Sequence, residues 1–325
     1  MNHADQLPNN TCKSIEGKYR KNMNSLLFCS KARCVITFSA ALIFAALADA
    51  EAMDALRAKA AEGDPASQNN LGVAYRDGEG VAVNRQEAIK WLSLAAKQGD
   101  ALAQFNLAAC YDLTVFKDGK DIVLAEKWYR KAAEQEQPLA QFALAEMYRI
   151  GDGVPRDYSE AARWYLKAAA HGNTPAYNNL GVLYDEGLGL PQDSVEAAKW
   201  YKKAADEGIA DAQLRLGDIY RLGLGVVESP TESASMYLNA ARQGESMAQY
   251  NLGVCYNVGY GVTKNRVLAY AWWKLSTAQN NDNAKSNLES VSRKMTVAEL
   301  SEAEEMAKEF AAQIEKTVRN IPKPR

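Results

Sequence analysis

Between residues 64 and 280 one leucine returns at near-constant intervals, as Leu71, Leu107, Leu144, Leu180, Leu216 and Leu252. A tyrosine follows each of them four residues later, as Tyr75, Tyr111, Tyr148, Tyr184, Tyr220 and Tyr256. Self-similarity at such a period marks a stack of equivalent units, each too small to bury its own apolar face. The units fall at 64–99, 100–136, 137–172, 173–208, 209–244 and 245–280, all of 36 residues except the second, which has 37. Positions below are counted from the first residue of each unit, with the extra loop residue of the second unit left out of the count.

Position 4 is small (Ser67, Ala103, Ala140, Ala176, Ala212, Ala248), position 8 is Leu and position 12 is Tyr. That four-residue spacing stripes one side of a first helix, helix A. Position 9 is Gly or Ala in every unit, which leaves room for another backbone to approach. Glycines at positions 15 and 17, such as Gly187 and Gly189, stop helix A in a left-handed turn. The stretch NNLGVLYDEGLGL (178–190) is therefore a structural unit and not a phosphate-cradling loop, because its glycines follow a helical pattern instead of opening one. A second helix, helix B, carries Ala at 25, Trp at 28 and Ala at 32 and 33, as in Ala161, Trp164, Ala168 and Ala169. Its Trp recurs at 91, 128, 164, 200 and 272, with Met236 in its place once, and a constant place in the unit points to packing between helices.

The pattern A-x3-L-G-x2-Y-x2-G-x-G followed by A-x2-W-x3-A-A-x2-G resembles the Sel1-like repeat, a relative of the tetratricopeptide repeat. The resemblance covers 64–280 and implies an all-α, right-handed αα-hairpin solenoid that acts as a protein-interaction scaffold. Family members from Helicobacter are rich in cysteine, have disulfide-linked repeats and have been associated with penicillin binding or hydrolysis. This chain has neither their paired cysteines nor an S-x-x-K with supporting motifs.

Outside the repeats, residues 51–63 match a helix B without its helix A and are expected to form an N-terminal capping helix. Residues 281–325 read as a degenerate repeat, a capping helix and a basic tail, with Thr296 and Glu299 in a capping-box pattern at the start of that helix. The second repeat departs from the others. Its DLTVFKDGKDIV (112–123) lacks both loop glycines and gains a residue, which reads first as drift of the repeat, with a specific contact as the alternative.

Residues 1–50 read as a leader. Lys31 and Arg33 precede VITFSAALIFAAL (35–47), and Ala48-Asp49-Ala50 supplies small residues for cleavage near Ala50. The run is shorter than the roughly 20 apolar residues of a membrane span, so the expectation is an exported chain, periplasmic or secreted, with no stable span once mature. An N-terminal membrane anchor is the alternative. The polar residues before Met23 make that methionine an alternative start, and Cys29 lies upstream of the apolar run, where a lipoprotein cysteine does not belong.

The whole chain has a formal charge of −2, and residues 1–50 hold six Lys/Arg against three Asp/Glu, so residues 51–325 carry −5. That balance offers no basic footprint for nucleic acid. His3 and His171 are the two histidines, and the second sits at a helix C-terminus where a cation suits the dipole. With so little material for a His-based triad or a zinc site, the expectation is a non-enzymatic chain with no catalytic, metal or cofactor residues. Cys110 and Cys255 share position 11 four repeats apart, too far for a disulfide, and are expected to be buried thiols.

The positions that the packing set leaves over on helix A are 6, 10 and 13, which lie on one side of the helix. Position 6 runs Asn69, Phe105, Phe142, Asn178, Leu214, Tyr250, and position 13 runs Arg76, Asp112, Arg149, Asp185, Arg221, Asn257. Apolar residues on a non-packing face suggest recognition, so the expected partner-binding set is Phe105, Phe142, Arg149, Asp185, Arg221 and Tyr250. In tetratricopeptide-like stacking this face is concave. A protein or peptide partner is expected to dock across repeats two and three, anchored by Phe105 and Phe142 and oriented by Arg149. Two other readings are a cell-wall-directed hydrolase or binder and a periplasmic regulator of a membrane sensor.

Overall fold

A computed structural model describes residues 51–112 and 121–320. The expected leader with its cleavage site, the middle of the 112–123 loop and the tail from 321 lie outside the described residues. The described residues divide into two compact units on either side of the Trp91–Leu92 bond.

All regular structure among the described residues is helical. A first helix, α1, spans 51–61. Six hairpins follow: α2 (Pro65–Asp77) with α3 (Arg85–Lys97), α4 (Ala101–Asp112) with α5 (Ile122–Glu134), α6 (Pro138–Ile150) with α7 (Tyr158–Ala170), α8 (Thr174–Glu186) with α9 (Ser194–Asp206), α10 (Ala210–Leu222) with α11 (Pro230–Arg242), and α12 (Ser246–Val258) with α13 (Arg266–Ala278). Then come α14 (Asp282–Ser292) and the long α15 (Val297–Asn320). In the second unit each helix B packs on its own helix A and on helix A of the next hairpin, and the result is an all-α repeat solenoid.

The repeated residues account for the hairpins. All six position 8 leucines are at most 2% exposed, each worth about 1.5–3 kcal/mol of apolar burial. Position 11 is buried throughout, including the two thiols Cys110 and Cys255. Burial pushes the Cys255 thiol up to about 11, so it packs as a small hydrophobe. Asp, Asn or Ser side chains cap several helix starts, as Asp157 does by accepting from the Ser159 and Glu160 amides. The expected capping box opens α15: Thr296 N–H donates to Glu299 at 2.8 Å and Glu299 N–H donates to Thr296 Oγ1 at 3.2 Å.

Three details differ from the sequence expectation. The space made by position 9 admits a ring and not a backbone: a Cβ on Gly181, Gly217 or Gly253 would stand 2.5–2.6 Å from Tyr201, Tyr237 or Trp273. Those rings occupy position 29, one residue after the recurrent Trp, and position 29 is the consistently buried large side chain of helix B. Leu92, Tyr129, Tyr165, Tyr201, Tyr237 and Trp273 are all buried. The Trp at 28 is buried only as Trp164 and Trp272, and Trp91, Trp128 and Trp200 are half-buried. The Tyr at position 12 is likewise half-buried in every repeat.

The glycine at position 17 joins neighbouring hairpins. Its φ is near +70° in Gly189, Gly225 and Gly261, and a Cβ there would strike the backbone of the preceding helix B, at Tyr158, Ser194 and Pro230 respectively. A buried Gln at position 5 adds a polar tie: Gln104, Gln141, Gln213 and Gln249 donate to the carbonyls of Ala96, Ala133, Ala205 and Ala241 at the end of the preceding helix B. In the first unit Gln68 donates to Ala60 of α1 in the same way. α15 packs on α13 and reaches α11, both of them helices B.

Candidate partner-binding face

The six expected residues all lie on helices A, but the structure gives them different work. Phe105 and Phe142 are half-buried, with rings tilted against Tyr129 and Tyr165 at centroid distances of 5.7 and 5.8 Å. They are thus part of the hairpin packing, a correction to the expectation of a non-packing face, and only their outer edges face solvent. Position 6 meets position 29 because both sit above the small residue at 9. Leu214, at the same position in repeat five, is 9% exposed.

Arg149 and Arg221 close two equivalent networks. In repeat three Arg149 pairs with Glu146 at 2.6 Å, the buried Tyr165 hydroxyl donates to the same carboxylate, and Asn179 of repeat four donates to it at 2.7 Å. In repeat five the Tyr237 hydroxyl donates to Asp218 at 2.6 Å, and Arg221 donates to the phenol oxygen at 3.2 Å and to Asp218 at 3.3 Å. The hydrogen bond to Glu146 raises the Arg149 pKa, so its charge is fixed. Burial, and then the neighbouring carboxylates, raise the pKa values of Tyr165 and Tyr237, which hold their protons as donors. The arginine side chains nonetheless remain 40% and 44% exposed.

Repeat four lacks this network. Position 10 is Val182 and position 13 is Asp185, and the Tyr201 hydroxyl is buried with no hydrogen-bond partner among the described residues. Burial raises the Tyr201 pKa, and the nearby charge of Asp185 adds to the shift.

Arg221 and Tyr250, from consecutive repeats, line one groove of about 560 Å³. Glu228, Val254, Val258 and Tyr260 are among the other residues of its wall, and the Tyr260 hydroxyl donates to Glu228 at 3.1 Å. The groove thus brings together two of the expected residues. Phe105 and Phe142 belong to repeats two and three and do not line it. Tyr260 and Glu228 come from the inter-helix loops and were not anticipated, since loop positions 16 and 20 carry no recurring residue that singles them out.

A family model described as the Sel1 repeat matches residues 65–100, 101–136, 138–173, 174–209, 210–245 and 246–281. A Sel1 repeat protein from Oxalobacter formigenes is 34% identical, with a TM-score of 0.57 over 71% of this chain and 96% of that one. A protective antigen of uropathogenic Escherichia coli strains, described as displaying an SLR fold, is 25% identical over 85% of this chain and 83% of its own, with a TM-score of 0.37. An immunity protein from Pseudomonas aeruginosa is 22% identical over 78% and 88%, with a TM-score of 0.38. No curated protein matches. Six consecutive matches to one family model, on the hairpins derived above, make this chain a member of the Sel1 repeat family.

Proposed function

We propose that the chain is an exported, non-enzymatic scaffold that holds a protein or peptide partner on the helix A side of its repeats. Membership of the Sel1 repeat family supports a protein partner in general. The observation that carries the reading further is the groove in which Arg221 and Tyr250 of adjacent repeats converge. It combines apolar wall, aromatic edges and a half-exposed guanidinium, a composition suited to a peptide segment with an acidic or carbonyl-rich stretch. A partner entering there would continue along position 6 towards the exposed edges of Phe142 and Phe105, with Arg149 and Asp185 setting its direction. In this reading residues 35–47 direct export, and cleavage near Ala50 releases the repeats.

The test places a photo-crosslinking residue at Tyr250 or Tyr260 in the cell, with exposed Ser286 on α14 as the control. The expected result is one partner crosslinked from both groove positions, absent from Ser286 and reduced by Arg221→Ala. A partner crosslinked equally from Ser286 overturns the groove. N-terminal sequencing of the mature protein checks export separately: a start near Glu51 is expected, and a start at Met1 or Met23 overturns the cleavage.

A further inference from the structure

Helices B of repeats two to four, α5, α7 and α9, carry an outward stripe that the helix A reading leaves unused. Position 27 is Lys127, Arg163 and Lys199, and position 31 is Lys131, Lys167 and Lys203. The ammonium groups at position 31 stand over the indoles of Trp128, Trp164 and Trp200 at 4.6, 4.3 and 4.3 Å. Exposed Val123, Leu166 and Val195 lie on the same stripe, at 68%, 37% and 48% exposure. The indole N–H groups of Trp164 and Trp200 are buried without an acceptor among the described residues.

Repeats five and six differ at the same positions and have a cover. Positions 27 and 31 are Ser235 and Asn239 in one and Ala271 and Leu275 in the other, with no cation at either. Here α15 lies on the helices B. Phe310 stacks on Trp272 at 4.6 Å, and Glu304 accepts from the Tyr270 hydroxyl at 2.6 Å and from Lys274 at 2.9 Å. From 297 to 316 this helix has six glutamates against two lysines. One chain thus contains both an acidic amphipathic helix seated on this kind of surface and three repeats whose equivalent surface is more basic and uncovered by any described element.

We propose that the helix B face of repeats two to four docks an acidic amphipathic helix of a partner protein, with an apolar or aromatic residue set against the Trp128–Trp164–Trp200 row. Arg163 and Lys199 at position 27 pair with Glu160 and Glu196 of their own helices, so the partner's carboxylates pair with Lys127 and with the position 31 lysines, drawing these off the indoles, and its apolar side covers Leu166 and the half-buried rings of Trp128 and Trp200. This surface is separate from the helix A groove and stands whether or not that groove binds a partner.

The test uses the full chain and, as probe, an end-blocked synthetic peptide of residues 297–316, followed by calorimetry and tryptophan fluorescence. Binding that changes the fluorescence is expected. It should weaken by roughly tenfold or more in a Lys131→Glu/Lys167→Glu/Lys203→Glu variant, and similarly with a Phe310→Ala peptide. The three lysines are exposed, and an unchanged circular dichroism melt confirms that the variant is folded. Three outcomes overturn the proposal: no binding at low salt, equal binding by the variant, which places the peptide on repeats five and six by displacing α15, and equal binding of a scrambled peptide, which leaves only bulk charge. Binding of anionic phospholipid vesicles but not of the peptide also overturns it, in favour of a lipid surface.

Discussion

The helix B faces of repeats two to four and of repeats five and six are built from the same unit, yet the first is topped by lysines and the second by a helix. Trp200 keeps a half-exposed indole under Lys203, whereas Trp272 is 3% exposed beneath Phe310. The repeat specifies an aromatic at position 28. Positions 27 and 31 decide what lies over it. At Trp128 and Trp200 a cation shields a ring that water still reaches, Trp164 is already buried at 2% exposure, and the neutral residues of repeat six leave Trp272 free to be covered by another element.

The largest expected effect is on the buried indoles. Trp272→Ala and Trp164→Ala should each destabilise by about 3–5 kcal/mol in denaturant unfolding, and the half-exposed Trp200→Ala by about half as much. Equal losses at 272 and 200 would erase the distinction between the two faces. Phe310→Ala should cost about 1.5–3 kcal/mol, and hydrogen exchange should locate the loss in α11, α13 and α15 while α5 and α7 keep their protection. A uniform rise in exchange would mean that α15 supports the whole second unit.

A pH series sharpens the comparison further. The hydrogen bond from Tyr270, and then that from Lys274, hold the Glu304 carboxyl below its ordinary 4.5. A depressed acid contributes stability that is present above its unfolded pKa and is lost as pH falls through the folded value. Burial, and then the bond to Glu304, push the Tyr270 phenol up to about 12, so its contribution is present below its unfolded pKa near 10 and is lost as pH rises through 12. Protection factors in α15, which take out the intrinsic pH dependence of amide exchange, should therefore fall on both sides of a window from about pH 4.5 to 10, and Glu304→Gln should remove the acid limb. An acid limb that survives this substitution would assign it to other carboxylates. The smallest effect belongs to the cations: Lys167→Met or Lys203→Met should change stability by less than about 1 kcal/mol, because the ion sits at an exposed site. A larger loss would mean that the lysines are structural members of the row.

The hairpins were legible because burial demands the same residue in every unit. Leu at 8 and the small residue at 4 have one environment and one solution. Position 29 was hidden by its neighbour: adjacent aromatics on a helix point about 100° apart, and the more constant Trp at 28 drew the assignment of core that belongs to Tyr165 and Tyr237. The glutamines at position 5 were equally visible, but a search for apolar periodicity passes over a polar residue that is buried because its amide N–H ties it to the preceding helix. At the candidate face, Arg149 and Arg221 could be read as charges on one side of helix A. That each leans on a tyrosine from helix B depends on how the loop returns the chain, and no local pattern in helix A reports it.

The glycine at position 17 sets a rule for re-engineering the array. In repeats three to six the loop rests on the second helix of the hairpin before it, so the joint between two hairpins is completed by residues on both sides of the seam. Duplicating a block such as 173–208 in tandem preserves the glycine contact at every seam, because Gly189 of the inserted copy would find the start of another α9 where it now finds that of α7. A graft cut between helix A and helix B is different. It would separate a loop glycine from the helix that follows it in the same unit, and a Cβ at that glycine would jam the seam even if both helices formed. Whole 36-residue modules can thus be added or removed at repeats three and four, because beyond them α15 fastens the last two modules together.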